Sequence, residues 1–232
     1  LIYDFLLSLG FISRIPINIK VKAFEVRVKR LPIYFPLVGY IPGILFFFGG
    51  SFENFLLKIL FLILGYYFFD LFHFDGFLDT LDGFLNQSSK EKRLEIMSKG
   101  DVGPFAVFFG TLYVVVFWTL YLEIPPITFI YSSVFGRYSM NLLMFFSKPA
   151  KKTGLGALFF PFQKKNLLFS SFFLLPLLFS MKYFFISYVV TVVFSYLMSI
   201  VSNSKIGGVT GDVLGGACLM TNGLLLVVLG VV

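Results

Sequence analysis

The sequence predicts an all-α, polytopic integral membrane protein, with about six or seven transmembrane helices and an N-terminal interfacial or re-entrant segment. Three observations lead there. Of 232 residues, 58% are hydrophobic and only 13% are charged, whereas an ordinary soluble domain is about a quarter charged. The mean hydropathy is +0.90, too apolar to dress a water-facing surface or to remain disordered. The apolar residues also run in continuous stretches near the roughly 20 residues that a helix needs to cross the hydrocarbon core. They do not alternate as barrel strands would. A soluble globular enzyme is thereby excluded.

Residues 1–17 form the interrupted apolar segment, without the basic start and small-residue cleavage site of a secretory signal. The candidate spans follow as 31–50, 55–72, 102–122, 124–146, 167–181, 183–201 and 211–232. The fourth is entered through Pro125-Pro126, the fifth is short and contains Pro176, and the seventh is rich in glycine. No repeat or appended water-soluble domain is visible, so residues 1–232 read as one membrane-embedded domain. Cys218 is the only cysteine. It lies among small residues, where it reads as packing, and it excludes an intrachain disulfide.

The basic residues set the orientation. Lys20, Lys22, Arg27, Lys29 and Arg30 precede the first span. Lys90, Lys92, Arg93 and Lys99 separate the second and third. Lys148, Lys151, Lys152, Lys164 and Lys165 separate the fourth and fifth, and Lys205 follows the sixth. Seven spans place all of them on one side, which the positive-inside rule makes cytoplasmic. The net charge of +7 thus reads as topology in a multi-pass cytoplasmic (inner) membrane protein. It does not read as a nucleic-acid footprint, because the basic residues lie in separate loops without a DNA- or RNA-reading motif.

The chemistry concentrates in residues 70–83, DLFHFDGFLDTLDG, which hold four of the twelve acidic residues and the single histidine. An aspartate at the centre of a membrane helix costs roughly 2.5–3.5 kcal/mol. Several together require water, a cation or each other. At about 100° per residue, Asp75, Asp79 and Asp82 fall within about 60° of one another and span about 10 Å of helix. Their mutual repulsion is relieved by a divalent cation, and hard oxygen donors favour Mg²⁺ or Mn²⁺. Asp70 and His73 point the other way, three residues apart, as a supporting pair.

A second polar patch, residues 202–212, carries Gly207, Gly211 and Gly215 every four residues and ends at Thr210-Gly211-Asp212. The glycine spacing suits close helix approach. Asp212 opens an apolar helix and needs a partner or a function. Arg14 and Arg137 stand in apolar surroundings. Each is suited to bidentate phosphate contact, or else to snorkelling or pairing with an aspartate. Lys151-Lys152-Thr153-Gly154-Leu155-Gly156 resembles a phosphate loop only loosely and reads as a basic cytoplasmic loop.

In order along the chain, these residues resemble the cobalamin synthase family, membrane-embedded adenosylcobinamide-GDP ribazoletransferases. Ser13-Arg14-Ile15-Pro16 and Phe35-Pro36-Leu37-Val38-Gly39 are similar to its first two motifs. His73-x-Asp75-Gly76-x-x-Asp79-Thr80-x-Asp82-Gly83 matches the family signature at every fixed position. Glu95-Ile96-Met97 with Gly103, then Arg137, Gly154-Leu155-Gly156 and Thr210-Gly211-Asp212-Val213-Leu214-Gly215 follow in register. One departure is Ser98-Lys99-Gly100-Asp101, where the acid stands two positions later than in the family.

The resemblance implies a final nucleotide-loop assembly. The ribose hydroxyl of α-ribazole, or of its 5′-phosphate, attacks the cobinamide-linked phosphorus of adenosylcobinamide-GDP, and GMP leaves. Asp75, Asp79 and Asp82 are then the expected metal ligands. Asp82, Asp212 and His73 are the catalytic candidates. Arg14, Arg93, Arg137, Lys99 and Thr210 are the substrate-binding candidates. The lipid bilayer and the two substrates are the expected partners, nucleic acid is not, and a homo-oligomer is left open. The alternatives are another Mg²⁺-dependent membrane phosphotransferase or prenyltransferase, and a cation transporter. Asp75-Gly76 lacks the D-G-x-x-A-R of CDP-alcohol phosphotransferases. Only one D-x-x-x-D-like motif is present, and no inverted repeat or midplane acid cluster marks a transporter.

Overall fold

The computed structural model describes residues 1–232 and is entirely helical apart from one isolated bridge between Pro149 and Val209. Helix α1 (Ile2–Phe11) is short and apolar, and α2 (Phe24–Val28) is a single turn. A 3-10 turn, Leu31–Tyr34, feeds α3 (Phe35–Ser51). Then come α4 (Phe55–Gly65), a π turn (Tyr66–Asp70) and α5 (Leu71–Leu85), which run on as one rod. The remaining helices are α6 (Lys90–Met97), α7 (Pro104–Glu123), α8 (Thr128–Phe146), α9 (Lys164–Ser171), α10 (Met181–Ile206) and α11 (Gly211–Val231).

Five helical segments are long and apolar enough to cross a membrane: Leu31–Ser51, Phe55–Leu85, Pro104–Glu123, Met181–Ile206 and Gly211–Val231. Multiple apolar helices of this kind make a multi-pass membrane protein. Two expected spans take other forms. Helix α8 has 19 residues, but Ser132, Ser133, Arg137, Ser139 and Asn141 lower its hydropathy. All five are fully buried, because α3, α10 and α11 pack around this helix and shield it from lipid. The fifth span is α9 continued by the 3-10 helix Phe172–Phe179. A 3-10 helix rises about 2.0 Å per residue against about 1.5 Å in an α-helix, so these sixteen residues extend roughly 28 Å. Stretching the helix compensates for a short segment.

The contact between α3 and α8 is close because two glycines face the partner backbone. A Cβ at Gly39 would stand 2.7 Å from the Ser133 carbonyl oxygen, and one at Gly43 would stand 2.9 Å from the Ile130 Cα. This is a small-residue seam, the kind that lets membrane helices gain packing energy without a hydrophobic driving force. Cys218 is fully buried and unpaired, as its setting suggested.

The rod from Phe55 to Leu85 has 31 residues, or about 46 Å, which exceeds the roughly 30 Å hydrocarbon core. With Phe55 at one interface, about twenty residues reach the other, so the rod emerges near Asp75. Its acidic end then belongs to the side that carries the basic loops. The π turn sits where the rod changes from wholly apolar to acid-bearing. Such turns are often found at functional sites.

Candidate active site between helices α5 and α11

Helices α5 and α11 meet where neither has a side chain in the way. A Cβ on Gly76 would lie 2.7 Å from the Asp212 carbonyl oxygen and 2.9 Å from its Cα. One turn earlier on α5, His73 packs against Gly215, and one turn later Thr80 packs against Gly216. Two acid-bearing motifs, whose contact residues Gly76 and Asp212 are 136 positions apart, therefore share one wall. Of the glycines spaced by four, Gly215 makes this contact. Gly207 instead ends α10 in the left-handed conformation (φ 82°).

The shared wall opens on a cavity of about 240 Å³. Asp75, His73, Thr210 and Asp212 line it, together with Lys151, Thr153 and Gly154 from the loop after α8 and Phe11 and Ile12 from the end of α1. Thr210 caps α11: its hydroxyl accepts from the Val213 N–H at 3.3 Å and donates to Asp212 Oδ2 at 3.2 Å. Both Asp212 and the N-terminus of α11 thus face the cavity. Gly154 turns with φ 108°, a conformation that other residues avoid. Gly156 then lies against the start of α11, where a Cβ would meet the Gly211 nitrogen at 2.6 Å. This places Lys151 and Thr153 opposite the acids. Sequence reasoning left that loop out of the site. Its Lys-Lys-Thr-Gly pattern was the available signal, but only tertiary folding shows that the loop returns to α11.

The three carboxylates expected on one face of α5 divide among different surroundings. Asp75 is exposed in the cavity wall. Asp79 is half-buried and within Coulombic range of Asp75, Asp212 and Asp82. Asp82 is buried and faces α7. Its Oδ2 accepts from the Gly103 N–H at 2.6 Å and its Oδ1 from the Ala106 N–H at 3.0 Å. Those are otherwise unpaired donors of the first turn of α7, and a carboxylate there is favoured by both hydrogen bonding and the helix dipole. Each Asp82 oxygen thus accepts one hydrogen bond from the terminus of α7.

No three His, Cys, Asp or Glu side chains converge as a ready-made metal cage. Mg²⁺ commonly takes one or two carboxylates and completes its shell with substrate phosphate oxygens and water. Asp75 and Asp212 on one cavity wall fit that partial site. Asp82, which caps α7, is not part of that wall.

The basic candidates also separate. Arg137 does not reach the cavity, which corrects its assignment to phosphate. Its guanidinium is fully buried, donating to Asp70 Oδ1 at 2.6 Å and to the Phe69 carbonyl at 3.2 Å. The π turn presents that carbonyl and Asp70 together, so α8 is tied to the rod at its midpoint. His73 Nδ1 stands 3.9 Å from the same Asp70 oxygen, beyond hydrogen-bond length. Both His73 ring nitrogens lack partners although the residue is buried.

Arg93 donates to the carbonyls of Ser88 and Phe84, bracing the turn after α5. Lys99 pairs with Glu95 at 2.9 Å and lines a separate groove with Asp82 and Asp101. Arg14 is exposed, its guanidinium 4.7 Å from the centre of the Tyr67 ring. Only Thr210 of the five lines the cavity.

A family model described as cobalamin-5-phosphate synthase matches residues 4–230. The chain belongs to the cobalamin-5-phosphate synthase family. Relatives are similar along their whole length. A protein of Thermosipho africanus named adenosylcobinamide-GDP ribazoletransferase is 67% identical over all of both chains. One of Fervidobacterium nodosum with the same name is 54% identical, covering 97% of this chain and 96% of its own. One of Kosmotoga olearia, also so named, is 45% identical over 99% of each. No solved structure matches. Membership in the cobalamin-5-phosphate synthase family sets aside the prenyltransferase and transporter readings.

Proposed function

We infer that the cavity between α5 and α11 is where this chain performs the family's reaction. The chain is a transferase of cobalamin biosynthesis, an adenosylcobinamide-GDP ribazoletransferase, and catalyses the final assembly of the nucleotide loop. Its substrates are adenosylcobinamide-GDP and α-ribazole or the 5′-phosphate of α-ribazole. The observation that carries the site assignment is the Gly76–Asp212 contact, which brings Asp75, His73, Thr210 and Asp212 together opposite Lys151 and Thr153.

Transfer at a diphosphate depends mainly on positioning and charge stabilisation. Lys151 and Thr153 supply a cation and a hydroxyl to bind phosphate oxygens, and the N-terminus of α11 adds its dipole. Asp75 and Asp212, with Asp79 close by, are the residues that would hold Mg²⁺, or Mn²⁺ in its place. When bound, the ion would neutralise the diphosphate and the departing GMP. His73, buried with free ring nitrogens, or Asp212 accepts the proton from the attacking ribose hydroxyl. Phe11 and Ile12 cover one side of the cavity and limit water there.

The positive-inside rule applied to the basic loops, with Lys90 and Arg93 directly after the acidic end of the rod, supports a cavity on the cytoplasmic face of the inner membrane. The test is GMP release from adenosylcobinamide-GDP and α-ribazole by reconstituted protein, with and without chelator. Release that stops with chelator and resumes with Mg²⁺ is expected. Release unaffected by chelator contradicts the metal assignment.

A further inference from the structure

A second and larger cavity, about 810 Å³, lies away from the reaction site between α1, the start of α3 and α9. Its composition changes with depth. Arg30 and Lys165 stand at its rim, each at the basic-side start of its helix and each exposed. Leu37 lies further along on α3, and Phe169, Phe172 and Phe173 lie further along on α9 and the 3-10 helix that continues it. The charged-to-apolar change therefore runs along these helices. Tyr34 stiffens the floor, with its ring 6.4 Å from Phe5 and 5.9 Å from Phe173.

The rim has a net positive charge. Asp4, which also lines the cavity, is matched by Arg27 at 2.5 Å, which leaves Arg30 and Lys165 without an acidic partner. Asn166 adds an independent feature. It is fully buried and lines the cavity, and its Nδ2 donates to the Lys29 carbonyl at 2.6 Å. That bond fixes the amide and leaves Oδ1 buried without a donor. Such an atom costs about 1–3 kcal/mol unless something donates to it.

We propose that this cavity is a binding site for an anionic phospholipid of the phosphatidylglycerol type. The phosphate sits between Arg30 and Lys165, a headgroup hydroxyl donates to Asn166 Oδ1, and the acyl chains lie over Leu37, Phe169, Phe172 and Phe173. Charge selects the lipid and apolar depth orients it, as in other basic pockets between membrane helices. The lipid joins α1, which contributes Phe11 and Ile12 to the reaction cavity, to α3 and α9.

The test is native mass spectrometry of the purified full chain. The protein is equilibrated in detergent with equimolar phosphatidylglycerol and phosphatidylcholine of matched chain length. The wild type is expected to retain phosphatidylglycerol about 10- to 30-fold over phosphatidylcholine, and Arg30→Gln/Lys165→Gln to bring the ratio within about two-fold. Lys20→Gln/Lys22→Gln, which removes two charges from the same face outside the cavity, is expected to keep the preference. Inorganic phosphate is expected not to displace the lipid. Equal retention of both lipids by the wild type, an undiminished preference in the double variant, or displacement by phosphate overturns the proposal. The wild-type ratio alone decides if the double variant does not fold.

Discussion

One helical rod uses its acids in two ways. At its midpoint Asp70 is sealed from water and paired with Arg137, equally buried, at 2.6 Å. Beyond it Asp75 is open to a cavity that Asp212 shares. The first pair joins two helices, and the second set faces a place where a ligand fits. Asp82, about two turns further along, holds the start of α7. Motif membership alone therefore does not separate chemistry from structure within a single acidic stretch. Surroundings separate them.

That contrast can be broken most severely at its sealed end. Arg137→Met leaves Asp70 as an unpaired buried charge, and thermal unfolding in detergent is expected to show a loss of about 3–5 kcal/mol. Asp70→Asn/Arg137→Met removes both charges and is expected to recover much of that loss. If the double variant is no more stable than the single, the ion pair is not what joins the helices. At the open end, Asp75→Asn is expected to reduce GMP release by about 100- to 1,000-fold, the usual size of losing one charge-stabilising group. Its melting temperature should remain within a degree or so of the wild type, since Asp75 is exposed and accepts no hydrogen bond from the protein.

Asp82→Ala is smaller again. Loss of the α7 cap is expected to cost about 1–2 kcal/mol in the same unfolding measurement. The smallest effect is at Glu95, whose carboxyl is held below its usual range by hydrogen bonds from Lys99 and Lys92. A depressed carboxylate contributes its stability at neutral pH and loses it as pH falls through the lowered value. The group is fully solvated, so Glu95→Gln is expected to leave the melting temperature unchanged at pH 7, and a clear shift would show that the α6 ion pairs matter.

The difference in legibility has the same physical root. Membrane helices are readable because lipid demands continuous apolar stretches, and all five helices that satisfy length and hydropathy overlap expected spans, although Phe55–Leu85 runs well past the expected end at residue 72. Helix α8 was marked out by sequence despite Ser132, Arg137 and Asn141. What could not be read was that α3, α10 and α11 surround it. Helical periodicity placed Asp75, Asp79 and Asp82 on one side of α5, but a face has neighbours that periodicity does not name. The N-terminus of α7 lies twenty residues later and claims Asp82. Pairing of Arg137 with an aspartate was one of two sequence readings, and the π turn that presents Asp70 to it decides between them. Lys151 and Thr153 escaped because a loop's destination is set by a docking contact, Gly156 on Gly211, rather than by periodicity.

The central claim is that chemistry belongs to the cavity acids and that Asp82 serves the fold. GMP release per folded molecule, measured side by side for Asp212→Asn and Asp82→Asn at saturating Mg²⁺, addresses it most directly. The account predicts a folded but inactive Asp212→Asn, and an Asp82→Asn that is less stable yet turns over at close to the wild-type rate once corrected for its folded fraction. An active Asp212→Asn, or a fully folded Asp82→Asn without activity, would contradict it.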